Sequence, residues 1–572
     1  MIRHFFKKST PFILCICMFL GLFGVLEGCS GNSASDSGYE LPASIDLTDA
    51  NLGESASGAQ LPEGGIENAL DDNYRNYYEI FVYSFYDSDG DGIGDLNGVT
   101  EKLDYVADLG CNGIWLMPIM PSPTYHKYDV IDYKEVDPEY GTLDDFRNLT
   151  KAAHEKGIRV IIDFVINHSS SKNAWFKQAC DYLKTLGEND TPNPEDCPYV
   201  EYYHFSREKV NSTWYKVNGS DFFYEGQFWS EMPDLNLANE ELRRELESVA
   251  DLWIDAGVDG FRMDAPLHFE EGDSAFNCEV LSWLYEYCKS KNPDFYMVSE
   301  VWDSKSSIET YYELSKTPSF FNFPTSQMEG SILSTVMGNM PADKFMTIMV
   351  GYQNDYKSGN PDYIDAPFIT NHDQGRPCNI LQSDPDAMKF AGGLLCTMSG
   401  NPFIYYGEEV GMKSKGNKDE NKRLPMNWSL GDIEGKTKGP KDADKGIEQS
   451  FPGVDEQAKD PDSIYNYYKR ALAMRNTFPE IARGEEKVLS ASSGMQAIMS
   501  KEYEGSVILI AVNSAKKPAE FDIKSASSEV GAKEGLEVAY SLTLHGDEIE
   551  INDGVLSMPE RSICVLKAYD PK

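Results

Sequence analysis

From Tyr77 onward, short apolar runs alternate with longer amphipathic stretches, and this alternation constrains the fold more than any other feature of the sequence. Ile80-Phe81-Val82-Tyr83 reads as a strand and Gly98 to Leu109 as a helix. Gly113 to Met117 is the next strand and Leu143 to Lys156 the next helix. Arg159 to Phe164 reads as a strand buried on both faces, and the helix Glu240 to Ala256 leads into Gly260-Phe261-Arg262-Met263-Asp264. Phe295 to Glu300 follows, with weaker strand candidates near Phe320–Phe323, Phe368–Thr370 and Phe403–Tyr406. Strands alternating with helices imply βαβ units and a parallel sheet. About eight such units over some 400 residues fit an α/β chain of the (β/α)8 TIM-barrel type better than a doubly wound sheet. No G-x-G-x-x-G or G-x-x-x-x-G-K-[ST] sequence follows a strand, which argues against nucleotide chemistry.

Two regions break the rhythm. Residues 169–234 separate the third strand from the next helix by about 65 residues, too long for an ordinary loop, so an inserted small domain is expected there. After residue 485 the pattern turns to short β runs, such as Val507 to Val512 and Ser562 to Leu566, implying a C-terminal antiparallel β-sandwich over 485–572. The barrel is therefore expected over 74–484. Ahead of it, Arg3, Lys7 and Lys8 precede an apolar run from Pro11 to Leu26 that ends in Leu26-Glu27-Gly28-Cys29. A basic start, an apolar stretch of roughly 16 residues and a small residue before the cut make residues 1–28 an export signal rather than a membrane span. The Leu-x-Gly-Cys ending resembles a bacterial lipobox, which makes Cys29 the expected lipidation site. Glu27 inside that box leaves ordinary secretion as the alternative. Residues 29–73, rich in Ser, Gly, Ala and acids and without Lys or Arg, read as a tether to a cell surface.

Charge excludes some partners. Asp and Glu number 93 against 51 Lys and Arg, a net charge of −42. Such a surface repels phosphate backbones and anionic lipid heads, so no nucleic acid is expected, and contact with a membrane only through the N-terminal anchor. Of 11 cysteines, eight lie beyond Cys29, with no C-x-x-C pair. Cys180 and Cys197 stand close enough for a disulfide in an exported protein, or equally for two separate buried thiols.

The chemistry of a barrel of this kind lies at the C-terminal ends of its strands. Those ends here read Asp163 to His168, Arg262 to Asp264, Ser299-Glu300 and Asn371-His372-Asp373. Every one carries a carboxylate and two carry a His. Glycosyl transfer needs such a rim: an ionised carboxylate as nucleophile and a protonated carboxyl as acid. Arg262 lies two residues from Asp264 on a strand, so both face the same way, and a permanent cation there would suit an ionised nucleophile. Glu300, longer and with no neighbouring cation in sequence, suits the acid.

These motifs, in this order, resemble the four motifs of the α-amylase family of glycoside hydrolases, family 13. Glu231-Met232-Pro233-Asp234-Leu235-Asn236 is similar to its fifth motif and Tyr125-His126-Lys127-Tyr128-Asp129 to its substrate-stacking segment. The resemblance spans roughly 74–572. It implies Asp264 as nucleophile, Glu300 as acid/base and Asp373 as the third carboxylate, with Tyr128, His168, Arg262, His268 and His372 binding sugar. Leu267 stands where the family often has Lys, a departure that bears on the leaving-group side. Starch-like α-glucan cut internally at α-1,4 bonds is the substrate the resemblance implies, by a chain expected to be monomeric. A neopullulanase- or cyclomaltodextrinase-like activity, an α-glucosidase, a 4-α-glucanotransferase and an inactive glucan-binding surface protein are the alternatives. All three acids are present, which stands against the last.

A calcium site is readable separately. Asp87-Ser88-Asp89-Gly90-Asp91-Gly92-Ile93-Gly94-Asp95 sets oxygen ligands at alternate residues, like the first part of an EF-hand loop, with Asp87, Asp89, Asp91, Asp95 and the Ile93 carbonyl as ligands to Ca2+. Gly98 occupies the twelfth position, where a complete EF-hand has Glu.

Overall fold

The computed structural model describes residues 72–431 and 433–569; the export signal, Cys29 and most of the tether lie outside the described residues. The strands in chain order are β1 Tyr77–Ile80, β2 Gly113–Leu116, β3 Arg159–Phe164, β4 Phe205–Ser206, β5 Trp214–Lys216, β6 Phe223–Glu225, β7 Gly260–Met263, β8 Tyr296–Ser299, β9 Ser319–Phe320 and β10 Phe403–Tyr405. Seven of them form one parallel sheet in the order β10-β1-β2-β3-β7-β8-β9. Parallel bridges from Phe321 to Ala366 and from Phe368 to Phe403 seat the segment 366–368 between β9 and β10, which closes an eight-staved (β/α)8 barrel.

Side-chain parity makes the active face. Tyr77, Trp115, Ile161, Tyr296, Val298, Phe321, Phe368 and Phe403 point inward and pack as a plug. Tyr78, Ile114, Val160, Ile162 and Phe261 point outward into the larger core beneath the helices. On four of the eight staves the inward positions at the C-terminal end are Glu79, Asp163, Arg262 and Glu300, so the period of two that fills the barrel's middle with apolar rings caps these staves with charge. Gly260 lets β7 approach its neighbour: a Cβ there would sit 2.2 Å from the Tyr296 carbonyl oxygen.

Two local expectations shift. The first strand is Tyr77–Ile80, three residues earlier than the apolar run Ile80–Tyr83 suggests, and the helical turn Val82–Phe85 follows it. The inward charge of Glu79 masks the strand, while apolar residues continue past its end because the rim is also buried. The stretch expected as one helix over 98–109 is two, Leu96–Glu101 and Leu103–Leu109, joined at Lys102. Lys102 leaves helical geometry there, and its ammonium lies 3.9 Å from the centre of the Tyr86 ring.

The insertion after β3 carries the helix Ala174–Leu183 and a three-stranded antiparallel sheet ordered β4-β6-β5. It returns along the strand end it left: Ser169 N donates to the Pro233 carbonyl at 3.1 Å and Leu235 N to that of Asn167 at 2.9 Å. At the C-terminal end stand β11 Glu485–Val488, β12 Gln496–Tyr503, β13 Ser506–Asn513, β14 Ala519–Asp522, β15 Leu536–Leu542, β16 Glu550–Asn552, β17 Val555–Met558 and β18 Ser562–Ala568. They form antiparallel sheets ordered β11-β12-β13-β18-β15 and β14-β17-β16, sharing a core of Leu509, Leu556, Cys564 and Leu566. The eight cysteines of the described residues are free, so Cys180 and Cys197 are separate thiols. Among the described residues, no helix is long and apolar enough to cross a membrane.

Candidate active site

One buried guanidinium organises the rim. Arg262, only 1 % exposed, places Nη1 2.5 Å from Asp163 Oδ1 and 2.6 Å from Asp264 Oδ1. Its Nη2 lies 2.7 Å from Glu300 Oε2. Sequence separation hid this last contact: Glu300 does have a cation beside it, the same one that holds Asp264. Asp163 also accepts from Trp115 Nε1 at 3.0 Å, which pins it in the barrel mouth.

Asp373 has its own cations. His372 Nε2 lies 3.0 Å from Asp373 Oδ2, and Arg423 Nη2 lies 2.7 Å from Asp373 Oδ1. Nδ1 of His372 faces Glu79 Oε1 at 2.6 Å. Burial disfavours the His372 cation, but Asp373 and Glu79 outweigh it and lift its pKa to about 9. Burial would raise the Asp373 carboxyl, yet His372, Arg423 and Arg262 hold it far below the usual carboxylate range. Glu300 goes the other way. Burial, with Asp264 and Asp373 adding to it, pushes its carboxyl up to about 8 against the pull of Arg262. The rim thus holds a carboxylate fixed as an anion and a carboxyl that keeps its proton at neutral pH, the separation of roles that acid catalysis requires.

The walls are aromatic. Tyr128 stacks on His372 with ring centres 5.6 Å apart, and its hydroxyl lies 2.8 Å from His372 Nε2. His168 is buried, its Nε2 has no protein partner among the described residues, and Phe228 leans over its ring at 5.3 Å. A buried donor left without a protein partner suits a sugar hydroxyl. His268 stands further out, its Nδ1 on Glu271 and its ring edge-on to Phe228 at 5.1 Å. The residues resembling the family motifs therefore converge on one cleft. Glu79 and Arg423 join them without any motif to announce them. An acid inside an otherwise apolar strand is the signal that could have found Glu79.

In the loop after β1, one carboxylate oxygen from each of Asp87, Asp89 and Asp95 lies within 4.8 Å of the others. Asp91 stands outside this group: its Oδ1 accepts from Ile93 N at 2.7 Å and its carbonyl from Lys438 Nζ at 2.6 Å. Gly90 and Gly92, at φ 85° and 99°, supply the left-handed turns that fold the acids inward, and their amides donate to Asp87. Three hard oxygen donors in a preformed loop fit a calcium ion.

The α-amylase catalytic-domain profile matches residues 79–484. The chain belongs to the α-amylase family and is a glycoside hydrolase. It is similar to Alpha-amylase 3 of Dictyoglomus thermophilum, 38 % identical over 456 residues that cover 77 % of this chain and 85 % of the relative. The solved structure of Eubacterium rectale Amy13B is 43 % identical, with a TM-score of 0.84 over 88 % of this chain and 97 % of that one. A glucan 1,6-alpha-glucosidase of Streptococcus pneumoniae is 29 % identical over 494 residues, 76 % of this chain and 90 % of the relative. The family's enzymes act on α-glucans, and relatives of this chain include both an alpha-amylase and a glucan 1,6-alpha-glucosidase.

Proposed function

We propose that the protein is an α-amylase that hydrolyses internal α-1,4 bonds of starch and maltooligosaccharides with retention of configuration. The observation that carries this reading is the single Arg262 guanidinium gripping both Asp264 and Glu300. Two carboxyl groups on the two arms of one fork favour the short spacing of retaining enzymes, about 5–5.5 Å, over the wider spacing of inverting ones. Asp264 attacks the anomeric carbon as Glu300 gives its proton to the departing glycosidic oxygen, leaving a glycosyl ester on Asp264. Glu300, now a carboxylate, takes a proton from water, which attacks the ester and frees the sugar. Asp373, fixed as an anion, accepts from the hydroxyls of the sugar being cut, while Tyr128 stacks on its ring and His168, His372 and Arg262 fix its orientation. His268 serves the leaving-group side.

Cutting within the chain is favoured by the Tyr125–Tyr128 segment, where α-glucosidases carry an Asp-rich closure. Phe228 and Trp229, 40 % and 47 % exposed beside the cleft, offer flat faces to a longer glucan. Calcium, when bound by Asp87, Asp89 and Asp95, ties down the loop after β1. The lipobox-like Leu26–Cys29 and the tether behind it support a cell-surface lipoprotein that reaches polymers too large to import. Product profiles on amylose, pullulan and β-cyclodextrin test the reading. Mixed maltooligosaccharides appearing early from amylose are expected; glucose as the sole early product would replace the endo-amylase with an exo-glucosidase.

A further inference from the structure

Lys127 is buried to 1 % exposure although it carries a charge, and it sits at φ 65°, a left-handed conformation that a residue with a side chain seldom adopts. Such conformations persist only where surrounding contacts hold them, and they gather at binding sites. Here the contacts are ionic. Lys127 Nζ lies 2.9 Å from Asp137 Oδ2 and 2.5 Å from Glu139 Oε2, and 5.0 Å from the centre of the Tyr140 ring. Asp137 is itself tied into the fold: its Oδ2 accepts from Ser122 N at 3.0 Å and its backbone N donates to the Ile119 carbonyl, just past β2, at 2.8 Å. The ammonium therefore staples the turn to the segment that follows β2.

On either side of Lys127 the turn presents His126 and Tyr128. Tyr128 N donates to Nδ1 of His126 at 3.2 Å, which the tight turn at Lys127 allows. The two rings lie 6.0 Å apart, and Tyr128 continues onto His372. Burial holds His126 neutral, with a pKa lowered to about 3. With Nδ1 accepting, the ring's proton sits on Nε2.

We propose that Lys127 is a positioning residue for the sugar whose bond is cut: its buried ion pairs with Asp137 and Glu139 lock the strained turn that aims Tyr128 and His126 into the cleft. This rests on the reading of Tyr128 as a sugar-stacking residue. Misplacing a stacking ring by about 1 Å can cost as much as a hundredfold in rate. Lys127→Met and Lys127→Gly are expected to lower kcat/KM on maltoheptaose by roughly tenfold to a hundredfold. Binding of a maltose-derived inhibitor should weaken in parallel, while Lys127→Arg restores most of both. The glycine variant separates the causes, since it suits the left-handed backbone but has no ammonium. Wild-type kcat/KM and inhibitor affinity in Lys127→Gly would overturn the proposal. Where Lys127→Met fails to fold, Glu139→Gln, altered at the more exposed end of the pair, should give a smaller loss of the same kind; no loss there also overturns it. Tyr128→Ala run alongside keeps the two readings apart. Its loss of activity beside unaffected Lys127 variants refutes the staple alone, and a silent Tyr128→Ala refutes the stacking assignment beneath it.

Discussion

Raising the pH should switch off the chemistry through Glu300. Burial, with Asp264 and Asp373 adding negative charge nearby, pushes its carboxyl from 4.5 up to about 8 against the pull of Arg262. On starch, the alkaline limb of kcat/KM is therefore expected near pH 8, and two pH units higher only about one enzyme molecule in a hundred keeps the proton. An aryl maltotrioside with a good leaving group needs little protonation, so its limb should be shallow. Glu300→Gln should lose starch hydrolysis, keep more activity on the aryl substrate and show no limb near pH 8. Stability responds over the same window. Between about 4.5 and about 8 the folded protein keeps the Glu300 proton that the unfolded chain has lost. Stability is fully present below that window and falls within it by about 1.4 kcal/mol per pH unit. The Tm of Glu300→Gln should thus decline less than that of the wild type as pH rises through the window. An alkaline limb below about pH 6, or an unchanged limb in Glu300→Gln on the aryl substrate, would refute the assignment of the acid.

Asp264→Asn should lower kcat by about 10⁴-fold with Tm nearly unchanged; turnover within about tenfold of wild type contradicts the nucleophile. Arg423→Met removes one of the cations on Asp373, and a charged hydrogen bond of about 1.5–3 kcal/mol predicts a ten- to hundredfold fall in kcat/KM. Asp89→Ala should lower Tm and abolish its response to a chelator, since a ligand at a hundredfold excess over Kd adds about 2.7 kcal/mol; an unchanged chelator response removes the metal site. Cys29→Ser should move the protein from the detergent to the aqueous phase at constant specific activity, because acyl chains contribute about 0.8 kcal/mol per buried CH₂; a wild type already wholly aqueous contradicts the anchor.

The barrel was legible because several strands carry one period of two that is apolar in the middle and charged at the C-terminal end. Ile161 followed by Asp163, or Gly260 followed by Arg262 and Asp264, shows both in a few residues. What the sequence could not show is which charges meet across the barrel. Arg262 pairs with Asp163 from 99 residues away. Arg423 reaches Asp373 across 50 residues, from a loop that has no recognisable spacing. The electrostatics of Glu300 followed the same pattern. A cation two residues from Asp264 was visible in the sequence, but that this cation also touches Glu300 depends on the register of β7 against β8. The acid's proton is kept by burial and neighbouring anions, a property of the closed rim rather than of any motif. Lys127 is a further case, since a lysine in a polar segment looks solvated until the turn around Asp137 encloses it.

The double displacement centred on Asp264 is tested most directly by trapping its intermediate. The Glu300→Gln variant, incubated with a maltosyl fluoride slowed by a second fluorine on the ring, should accumulate a glycosyl ester. Peptide mapping by mass spectrometry should then place one maltosyl adduct on the peptide containing Asp264. An adduct carried by Asp373 instead, or initial products of inverted configuration, would contradict the mechanism.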